Sequence, residues 1–599
     1  MANDAHIATK YIVDLKRVAQ QKIGITLVMT QSDQKGQIFK LPAWIPGSYL
    51  IRDFAKNIVE ISAQSEGQPV RITKLDKLTW RCDPCDAALE VKYEVYAGDL
   101  SVRGAHADLF HAYFNGPSVF LMPEQNRYLH FGVQIEKSDC AIAKAKVVTA
   151  LPALNIDEHG FGTYVAKDYD MLIDNPFEIG HIQSETFIAN VPHTLNFFGH
   201  FKTDLLRIRN DAKKICLEAQ AMFQDKAPFE RYDFLVTVLD KGYGGLEHEN
   251  CSSLICSLHD MPVPGDLTVS QDYEKLLGLI SHEYFHAWLV KRIKPEVFMP
   301  YPLWQETYTD LLWVFEGFTA YYDDLLLLRS GLLPWDRYLA LMSRQLTQYF
   351  LTPGRLKQSL SDSSFDAWIK FYQPNENSLN TGVSYYQKGS LLALCLDVAI
   401  RRESADTLSL DDLLRLMWKK EGMQKEGLRF DRLLQHLDTL LPNGTKLGRL
   451  LQSWVTQTDE LPIEASFQAL GVAAEKSALL PENDPNFVPA LGVKLSPDGL
   501  RVSAVLEGSA AALAGLIVGD DLLALNEFQI DRARLHGFVA RFGVGEKVLV
   551  HFFRRGLLNA VTVNWVASPF YQVKLVVAEN QTQEVQERAK HFQQSQQGH

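Results

Sequence analysis

The spacing of apolar residues changes near residue 270, and this change restricts the folds open to the 599-residue chain. Before it, stretches such as 6–15, 88–97 and 128–137 are short and alternating or rich in β-branched residues, as strands are. From residue 271 onward, apolar residues recur with helical spacing. A block of strands followed by a block of helices predicts a multidomain α+β protein.

Composition divides the chain into five predicted parts. Residues 458–487 mix Pro, Asn, Asp and Glu and predict a linker, and the Gln-rich end of the chain predicts a frayed helix or disorder. Strand signals return between these two regions. The predicted parts are a β-sandwich-like N-terminal domain (1–170), a central domain with a β part and then a helical lobe (171–460), a linker (461–487), a further domain (488–570) and a polar tail (571–599).

Four helices are predicted at the start of the helical lobe. The first ends before Pro295, because proline stops a helix. The second ends at Gly331, and the fourth begins at Ser409, a residue type that caps helices. The predicted extents are 271–294, 308–331, 385–404 and 409–422, with further helical segments to about residue 460.

Bulk properties exclude several classes of protein. The formal net charge of −12 argues against nucleic acid as a partner, because phosphate binding requires a basic surface. No stretch reaches the roughly 18 apolar residues of a membrane span, so no membrane partner is expected. The N-terminus lacks the apolar core of a signal peptide, and the seven cysteines are scattered rather than arranged as a disulfide framework. We therefore expect a cytoplasmic protein.

The sequence His282-Glu283-Tyr284-Phe285-His286 lies inside the first predicted helix. Residues i and i+4 of a helix point in nearly the same direction, so both imidazoles can reach one ion. Zinc prefers such nitrogen ligands and keeps a position open for water in catalytic sites. Glu283 stands beside the first ligand, where it can remove a proton from that water. The motif predicts one zinc ion bound by His282 and His286, with Glu283 as the catalytic base.

A third ligand is expected from the second predicted helix. Glu316 stands in the apolar stretch 312–319, and a buried carboxylate needs a compensating partner. A zinc ion is such a partner, and two imidazoles with one carboxylate are the ligand set of thermolysin. The alternative is a buried glutamate in a salt bridge. We predict Glu316 as the third zinc ligand.

These residues, with Trp288 and the WxxEGxT pattern at 313–319, resemble the gluzincin aminopeptidases. Within that group the chain is most similar to the glycyl aminopeptidase family, whose members carry a C-terminal PDZ domain. Two further segments, 46–54 (PGSY followed by RDF) and 174–180 (DNPFEIG), resemble the N-terminal part of that family. The resemblance implies a thermolysin-like catalytic domain at 171–460. It leaves Arg52 as a candidate for either the cleft or the surface.

The spacing of the ligands differs from that in the larger, better-known aminopeptidase family. There the third ligand follows the second histidine more closely than Glu316 follows His286 in this chain. The additional residues, 292–308, are expected to form a loop between the two helices. The difference leaves the ligands unchanged and the shape of the cleft open.

The resemblance also implies which residues meet the substrate. Gly244, Gly245 and Glu247 resemble a segment whose glycines meet the substrate main chain and whose glutamate binds its free α-amine. The alternative is a glycine-rich turn with an exposed glutamate. Tyr386 resembles the tyrosine that donates a hydrogen bond to the developing oxyanion, and Tyr385 is the second choice.

Residues 508–526 resemble the GSPAxxAGLxxGDxIxxIN stretch of PDZ domains, with Ala510 where proline is usual. Such domains add a peptide strand to a sheet edge and bind its C-terminal carboxylate with backbone amides. The resemblance places a groove for a C-terminal peptide ligand at Leu491, Gly492 and Val493. The alternative is a domain that packs on the catalytic unit and binds no ligand.

Taken together, the motifs predict a zinc metallo-aminopeptidase that acts on peptides with a free N-terminus. The resemblance implies a preference for small N-terminal residues, Gly or Ala. One alternative is a zinc endopeptidase of the same fold, which would not need Glu247 as an amine anchor. The other is a PDZ-based peptide-binding protein with a degenerate peptidase body, which the presence of ligands, base, anchor and tyrosine disfavours.

Overall fold

The computed structural model describes residues 7–137, 140–142, 144–478, 486–566 and 570–594. The N-terminal domain contains sixteen strands and one short helix in this part of the chain. They are β1 (Thr9–Asp14), β2 (Lys22–Met29), β3 (Ile38–Lys40), β4 (Ile58–Ser65), β5 (Gln68–Val70), β6 (Ile72–Lys74), β7 (Thr79–Cys82), β8 (Leu89–Tyr96), β9 (Ala105–Ala107), β10 (His111–Phe114), β11 (Met122–Pro123), β12 (Phe131–Ile135), β13 (Lys146–Val148), β14 (Ala153–Ile156), β15 (Gly162–Ala166), α1 (Tyr169–Ile173) and β16 (Phe177–Gly180).

These strands form three sheets around one hydrophobic core. The largest has eight strands in the order β14-β15-β12-β1-β2-β8-β4-β5, and β1 and β2 alternate buried and half-buried residues because one face meets the core. The other two have the orders β13-β16-β10-β9 and β11-β3-β7-β6. Since β16 pairs with β10 and β13, the domain extends to Gly180, beyond the predicted boundary at residue 170.

The β part of the central domain is one five-stranded sheet with a long helix against it. Its elements are β17 (Gln183–Ala189), β18 (Val191–Phe198), α2 (Leu205–Phe223), β19 (Tyr232–Leu239), β20 (Gly244–Glu247) and β21 (Cys251–Ser257). The order is β17-β18-β19-β21-β20, so β20 is an edge strand, antiparallel to β21. Helix α2 is missing from the prediction, which treats the whole region as strand-rich. It begins after Asp204, whose side chain accepts a hydrogen bond from the Arg207 N–H.

The helical lobe contains eleven α-helices in the described part of the chain. They are α3 (Gln271–Phe285), α4 (Leu312–Phe315), α5 (Gly317–Arg329), α6 (Trp335–Phe350), α7 (Leu360–Phe365), α8 (Ser378–Thr381), α9 (Tyr385–Glu403), α10 (Leu410–Met417), α11 (Phe430–Leu440), α12 (Gly444–Thr456) and α13 (Ile463–Ala469). The α+β organisation is confirmed, with a β-rich N-terminal domain followed by a sheet and a helical lobe. Nowhere among the described residues does a helix combine the length and the apolar character needed to cross a bilayer.

Two of the four predicted helices differ from the prediction. Helix α3 stops at Phe285, well before Pro295, because the chain turns after His286 and Val290 takes a φ of 99°. The second predicted helix is divided into α4 and α5 at Glu316. Helices α9 and α10 begin at the predicted positions, Tyr385 and the residue after Ser409.

The C-terminal elements return to the sheet pattern. They are β22 (Val472–Ala478), β23 (Phe487–Val488), β24 (Val493–Leu495), β25 (Val502–Val505), α14 (Ala510–Ala514), β26 (Asp521–Leu525), β27 (Phe528–Gln529), α15 (Leu535–Val539), β28 (Lys547–Arg554), β29 (Leu557–Asn564), β30 (Tyr571–Val577) and α16 (Gln583–Phe592). Elements β23 to β29 form two small sheets, β23-β24-β25 and β27-β26-β28-β29, around a hydrophobic core of their own.

The structure corrects the predicted linker at 461–487. Helix α13 buries Ile463 and Phe467 in the core of the central domain, and β22 follows it directly. Strand β22 pairs with β30 from Val472↔Val577 to Ala478↔Tyr571. The mixed polar composition misled the prediction because this two-stranded ribbon has an exposed face. Residues 479–485 lie outside the described part of the chain.

The predicted polar tail, 571–599, is also corrected up to residue 594. Strand β30 lies on α6, where the hydroxyls of Thr347 and Ser343 accept hydrogen bonds from the N–H groups of Val573 and Leu575. Helix α16 buries Phe592 completely against aromatic rings of α6, and its Arg588 is buried in an ion pair with Asp406. Residues 595–599 are outside the described residues.

The residues predicted to form a peptide groove are part of a closed hairpin instead. The N–H groups of Leu491 and Gly492 both donate to the carbonyl oxygen of Val488, at 3.1 and 2.8 Å. Strand β23 pairs along the edge of β24, with Val488 opposite Val493. The short connection at 489–492 lets the preceding chain fold back onto β24, so this edge is occupied by the protein itself.

The C-terminal unit, residues 487–566, contacts the central domain through a small interface. Asn380 of α8 donates to the Val505 carbonyl at 2.8 Å and accepts from the Glu507 N–H at 2.9 Å. Next to it, four buried apolar side chains pack together; they are Leu351, Phe487, Leu506 and Phe570. Lys357 and Glu507 add an exposed ion pair.

Candidate metal centre and cleft

Helix α3 places His282 and His286 side by side. Ser270 caps its first turn by accepting a hydrogen bond from the Tyr273 N–H, and the apolar face of the helix is buried. The two rings project from its C-terminal end with their Nε2 atoms 3.1 Å apart. His286 is buried, whereas His282 keeps a partly exposed edge.

Glu316 faces the two histidines from the junction of α4 and α5. Its Oε2 lies 3.3 Å from His286 Nε2 and 3.9 Å from His282 Nε2, and the side chain is 2% exposed. The junction lies against α9, since a Cβ added to Gly317 would be 2.6 Å from the Gly389 Cα. This close contact between two glycines allows α5 to present Glu316 while α9 passes immediately behind it.

The outer nitrogens of both histidines are held by acceptors. His282 Nδ1 lies 2.9 Å from Asp323 Oδ2, and His286 Nδ1 lies 2.8 Å from the Leu289 carbonyl oxygen. Each Nδ1 therefore carries the proton, which leaves the Nε2 lone pairs directed at Glu316. The sequence prediction did not include Asp323, although its position seven residues after Glu316 on α5 places both carboxylates on one helix face.

The three inward atoms match the geometry of a tetrahedral metal site. Ligands bound to zinc at 2.0–2.1 Å would lie about 3.3 Å apart, close to the observed 3.1, 3.3 and 3.9 Å. Glu247, Glu283 and His286 form a second cluster within 4.8 Å. We favour the first set because both of its imidazoles are oriented by fixed Nδ1 partners.

Glu283 lies beside the ligands and against the main chain of β20. A Cβ built on Gly245 would be only 1.9 Å from Glu283 Oε1, so no other residue fits at position 245 without displacing the carboxylate. The Oε2 atom is buried without a hydrogen-bond partner among the described residues. Burial, and then the negative charge of Glu247, raises the pKa of Glu283 well above its usual range. Such a carboxyl group holds a proton more readily than an exposed glutamate does.

Glu247, at the end of β20, is 4% exposed and lies against the turn that contains Gly47. A Cβ on Gly47, whose φ is +90°, would be 2.4 Å from Glu247 Oε1. That oxygen is buried and has no hydrogen-bond partner in the described part of the chain. Burial raises the pKa of Glu247. A carboxylate in this position is suited to a cationic ligand, which would supply the missing hydrogen bond.

Behind Glu247, Asp174 joins two domains. Its carboxylate lies 2.6 Å from Lys291 Nζ and 3.2 Å from His248 Nδ1, and accepts from the Glu249 N–H at 2.8 Å. Asp174 follows α1 in the N-terminal domain, whereas its three partners belong to the central domain. The network fixes the chain directly after Glu247. The sequence comparison singled out 174–180 but did not indicate this role.

Strand β20 carries the predicted substrate glycines, Gly244 and Gly245. As the edge strand of its sheet it pairs with β21 on one side, and both glycines are half-buried on the cleft side. An edge strand offers free N–H and C=O groups to an extended peptide. The glycines remove the side chains that would keep such a peptide away.

The two candidate tyrosines at the start of α9 differ in position. Tyr385 is fully buried, with its ring 4.8 Å from the rings of both Phe371 and Tyr386. Tyr386 is half-buried, and its ring lies 6.2 Å from that of His282, nearly parallel to it. Tyr386 is therefore the one that borders both the ligands and the open side of the cleft.

Comparison with known families gives two matches. The model described as "Peptidase M61 N-terminal domain" matches residues 10–181, which end one residue after β16. The model described as "M61 glycyl aminopeptidase" matches residues 275–392, which include the metal centre and the start of α9. No curated protein matches the chain.

Among solved structures, the aminopeptidase N family protein from Idiomarina loihiensis is 34% identical to this chain. The match covers 98% of this chain and 99% of that one, with a TM-score of 0.92. The M1 zinc metallopeptidase from Deinococcus radiodurans is 13% identical over 76% of this chain and 94% of its own, with a TM-score of 0.48. A mutant of that protein bound to a Tyr-Ser-Ala substrate is 14% identical, with a TM-score of 0.47.

Proposed function

Because the chain belongs to the M61 glycyl aminopeptidase family, we propose that it is a zinc-dependent aminopeptidase that removes the N-terminal residue of peptides. The observation that carries the proposal is the position of Glu247. Its side chain is buried, and a carboxylate oxygen lies within 4.8 Å of a carboxylate oxygen of Glu283 and of a ring nitrogen of His286. A carboxylate there can bind the α-amine of a peptide whose first carbonyl lies at the metal centre. An endopeptidase would instead need the space occupied by the Glu247 carboxylate for the substrate residue that precedes the cleaved one.

His282, His286 and Glu316 would hold one zinc ion. Two imidazoles and a carboxylate form a borderline nitrogen and oxygen donor set, which suits zinc. The outer partners, Asp323 and the Leu289 carbonyl, keep both rings in the tautomer that such binding needs. When bound, the ion supplies Lewis acidity, which polarises the substrate carbonyl and lowers the pKa of water.

Glu283 is the group that moves the proton. Its carboxylate takes a proton from the attacking water and later gives it to the leaving amine. Burial raises the pKa of this carboxyl group, which favours the protonated form that the second step needs. Tyr386 lies where its hydroxyl can donate to the carbonyl oxygen as negative charge develops, a contribution of about 3 kcal/mol in comparable sites.

Gly244 and Gly245 would bind the substrate main chain along the edge of β20, and Glu247 would hold its amine. A preference for Gly or Ala follows from the restricted space around that amine. Tyr372 closes this side, with its hydroxyl 3.4 Å from the Gly47 carbonyl oxygen, and Tyr49 packs against Tyr372. A large first side chain would have to displace these rings.

The remaining assignments concern the whole chain. We propose that 171–460 is a thermolysin-like catalytic domain and that 488–570 is a PDZ-type module, on the basis of the GSxAxxAGL and GDxLxxLN patterns. With β23 on the edge of β24, that module would act as a docked unit in this conformation rather than bind a C-terminal peptide. A cytoplasmic location is proposed because all seven cysteines are free thiols.

The test is release of free amino acid from N-terminally free and N-acetylated peptides, with and without a chelator. Chelator-sensitive release from free peptides alone, fastest with Gly or Ala first, is expected. Glu247→Gln should then reduce kcat/KM by about 100-fold, through loss of a charge-assisted hydrogen bond. Asp240→Asn, on an acid outside the cleft, is the matched control. Internal cleavage of blocked peptides would assign the protein to the endopeptidases instead.

A further inference from the structure

Two arginines of the N-terminal domain lie beside β20, and neither has a part in the proposed chemistry. Arg52 follows the turn that contains Gly47, and Arg103 lies in the loop between β8 and β9. Arg103 Nη2 is 3.4 Å from the Gly245 carbonyl oxygen. A Cβ built on Gly244 would lie 3.8 Å from Arg103 Nη1. The guanidinium group therefore lies at the level of the main chain of β20.

The hydrogen-bond donors of this pair are poorly satisfied. Arg52 Nη2 donates to Ser48 Oγ at 2.5 Å, a neutral partner. The Nε atoms of both arginines are buried, and within the described residues neither has a hydrogen-bond partner. Burial, and then repulsion by Arg103, lowers the pKa of Arg52 to about 10, while Tyr372 and the exposed Asp99 oppose the shift. Buried donors that lack acceptors are costly, and an anion would satisfy both groups.

The position of the pair indicates where such an anion would come from. Glu247, Gly245 and Gly244 succeed one another along β20 with a rise of about 3.3 Å per residue. Glu247 would hold the peptide amine, and Glu283 lies against Gly245, where the first peptide bond would be cut. An extended peptide advances about 3.3–3.6 Å per residue. Its second or third residue therefore reaches Arg103.

We propose that Arg52 and Arg103 bind the C-terminal carboxylate of the substrate, and that the substrates are di- and tripeptides. The inference rests on the proposed aminopeptidase function. A guanidinium group binds a carboxylate through parallel N–H···O bonds, which gives direction as well as attraction. The carboxylate is assigned to the chain terminus rather than to an acidic side chain because Arg103 contacts β20 at a main-chain carbonyl.

Arg103 could also act only on the charge of Glu283, since its guanidinium opposes the effect of burial on the pKa of that carboxyl group. Such a role would affect every substrate equally, whatever its C-terminus. Recognition of the terminal carboxylate would instead give peptide acids a higher kcat/KM than the corresponding peptide amides. The ratio of the two rates therefore distinguishes the roles.

The experiment measures kcat/KM for alanine peptides of two, three and five residues, each as the free acid and as the C-terminal amide. The wild-type enzyme should favour the acid about 10- to 100-fold at two or three residues, the range expected for a charged hydrogen bond, and show no preference at five. Arg52→Gln and Arg103→Gln should bring the ratio close to one. Arg103→Lys should keep part of it, and the exposed Arg71→Gln should keep all of it.

A binding measurement gives a second readout without turnover. With Glu283→Gln as the background, calorimetry should show tighter binding of trialanine than of its amide, and Arg103→Gln should remove the difference. Equal treatment of acids and amides by the wild-type enzyme would overturn the inference and leave the aminopeptidase proposal intact. So would Ala-Glu-amide being cleaved as fast as Ala-Ala, because the carboxylate would then belong to a side chain. If no amino acid is released from any peptide, and calorimetry shows equal binding of trialanine and its amide, both proposals are overturned.

Discussion

At the scale of the residue, two glycines fix the carboxylates that would perform the chemistry. Gly47 and Gly245 each lie so close to a glutamate that an added Cβ would be 2.4 Å from Glu247 Oε1 or 1.9 Å from Glu283 Oε1. The main chain at these glycines therefore packs directly against the carboxylates of Glu247 and Glu283. Packing of this kind sets the distance between Glu247 and Glu283, on which the proposed cleavage after a single residue would depend.

Gly47→Ala is expected to displace Glu247 and to lower kcat/KM for peptides with a free amine by about 100-fold. Gly67→Ala is the matched control, because Gly67 has a similar φ of +76° but open space around its Cβ position. Both variants carry a similar backbone penalty for alanine at positive φ, so the additional loss of activity in Gly47→Ala reports the contact with Glu247. If Gly67→Ala loses as much activity as Gly47→Ala, the contact with Glu247 is not the cause.

The residue patterns were sufficient to single out His282, His286, Glu316, Glu283 and Glu247, whose side chains lie close together in the structure. They could not supply Gly47 against Glu247 or Asp323 against His282. Each of these contacts joins segments that are far apart in sequence, 200 residues in the first case and 41 in the second. Only Asp323 left a local signal, its spacing from Glu316 on α5.

At the scale of the element, the site depends on three helices whose ends and crossings carry the functional groups. Helix α3 contains His282 and ends just before His286, whose Nδ1 is hydrogen-bonded to the Leu289 carbonyl oxygen where the chain turns. Helix α5 brings Glu316 and Asp323 along one face, and α9 crosses it at Gly317 and Gly389. The sequence predicts the extent of α9 to within one residue, but not where α3 ends or where α5 begins, since these two ends lie at side chains of the site.

The pairing of α3 with α5 through Asp323 gives a prediction about metal affinity. Asp323→Asn should weaken zinc binding about 10- to 100-fold, because it removes the charged acceptor that orients His282. Asp324→Asn is the control on the same helix, since Asp324 accepts from Gln345 and contacts neither ligand. The dissociation constant follows from competition with a chromophoric chelator. Equal weakening in both variants would point to a general loss of packing in α5.

At the scale of the whole molecule, the N-terminal β domain forms part of the cleft and is not an appendage. It contributes Gly47, Arg103 and Asp174, which contact β20 or the residues directly after it. The predicted boundary at residue 170 falls short of β16 because pairing with β10, about 65 positions earlier, cannot be read from local patterns. The linker and the tail were mispredicted for the same reason, since β22 and β30 are ordered only through each other and α6.

The junction at Asp174 makes the stability of the molecule dependent on pH. Lys291 and His248 hold the pKa of Asp174 well below its usual range although burial acts in the opposite direction. The unfolded chain has a value near 3.9. The ion pair therefore contributes its full stabilisation above about pH 4, and the contribution is lost as the pH falls further toward the folded-state pKa.

Asp174→Asn should lower the free energy of unfolding by about 3–5 kcal/mol at pH 7, because Lys291 is left buried without its counter-charge. The difference from the wild type should shrink below pH 4. Urea unfolding at pH 7 and pH 3.5 provides the comparison, and Asp168→Asn, at the cap of α1, controls for loss of local structure. Parallel pH curves for Asp174→Asn and the wild type would contradict the assignment of Asp174.

Because β22 and β30 pair with each other, the C-terminal module is an insertion that can be deleted from the central domain. Ala478 and Tyr571 lie opposite each other in that ribbon, so the chain leaves the central domain and re-enters it at a single point. A tight turn of about two to four residues could close the ribbon there. The shortened chain would keep β30 on α6 and α16 in its place, with Leu351 the main apolar surface newly uncovered. Position 478 is therefore a site at which a protein engineer can exchange one module for another without changing the path of the chain through the central domain.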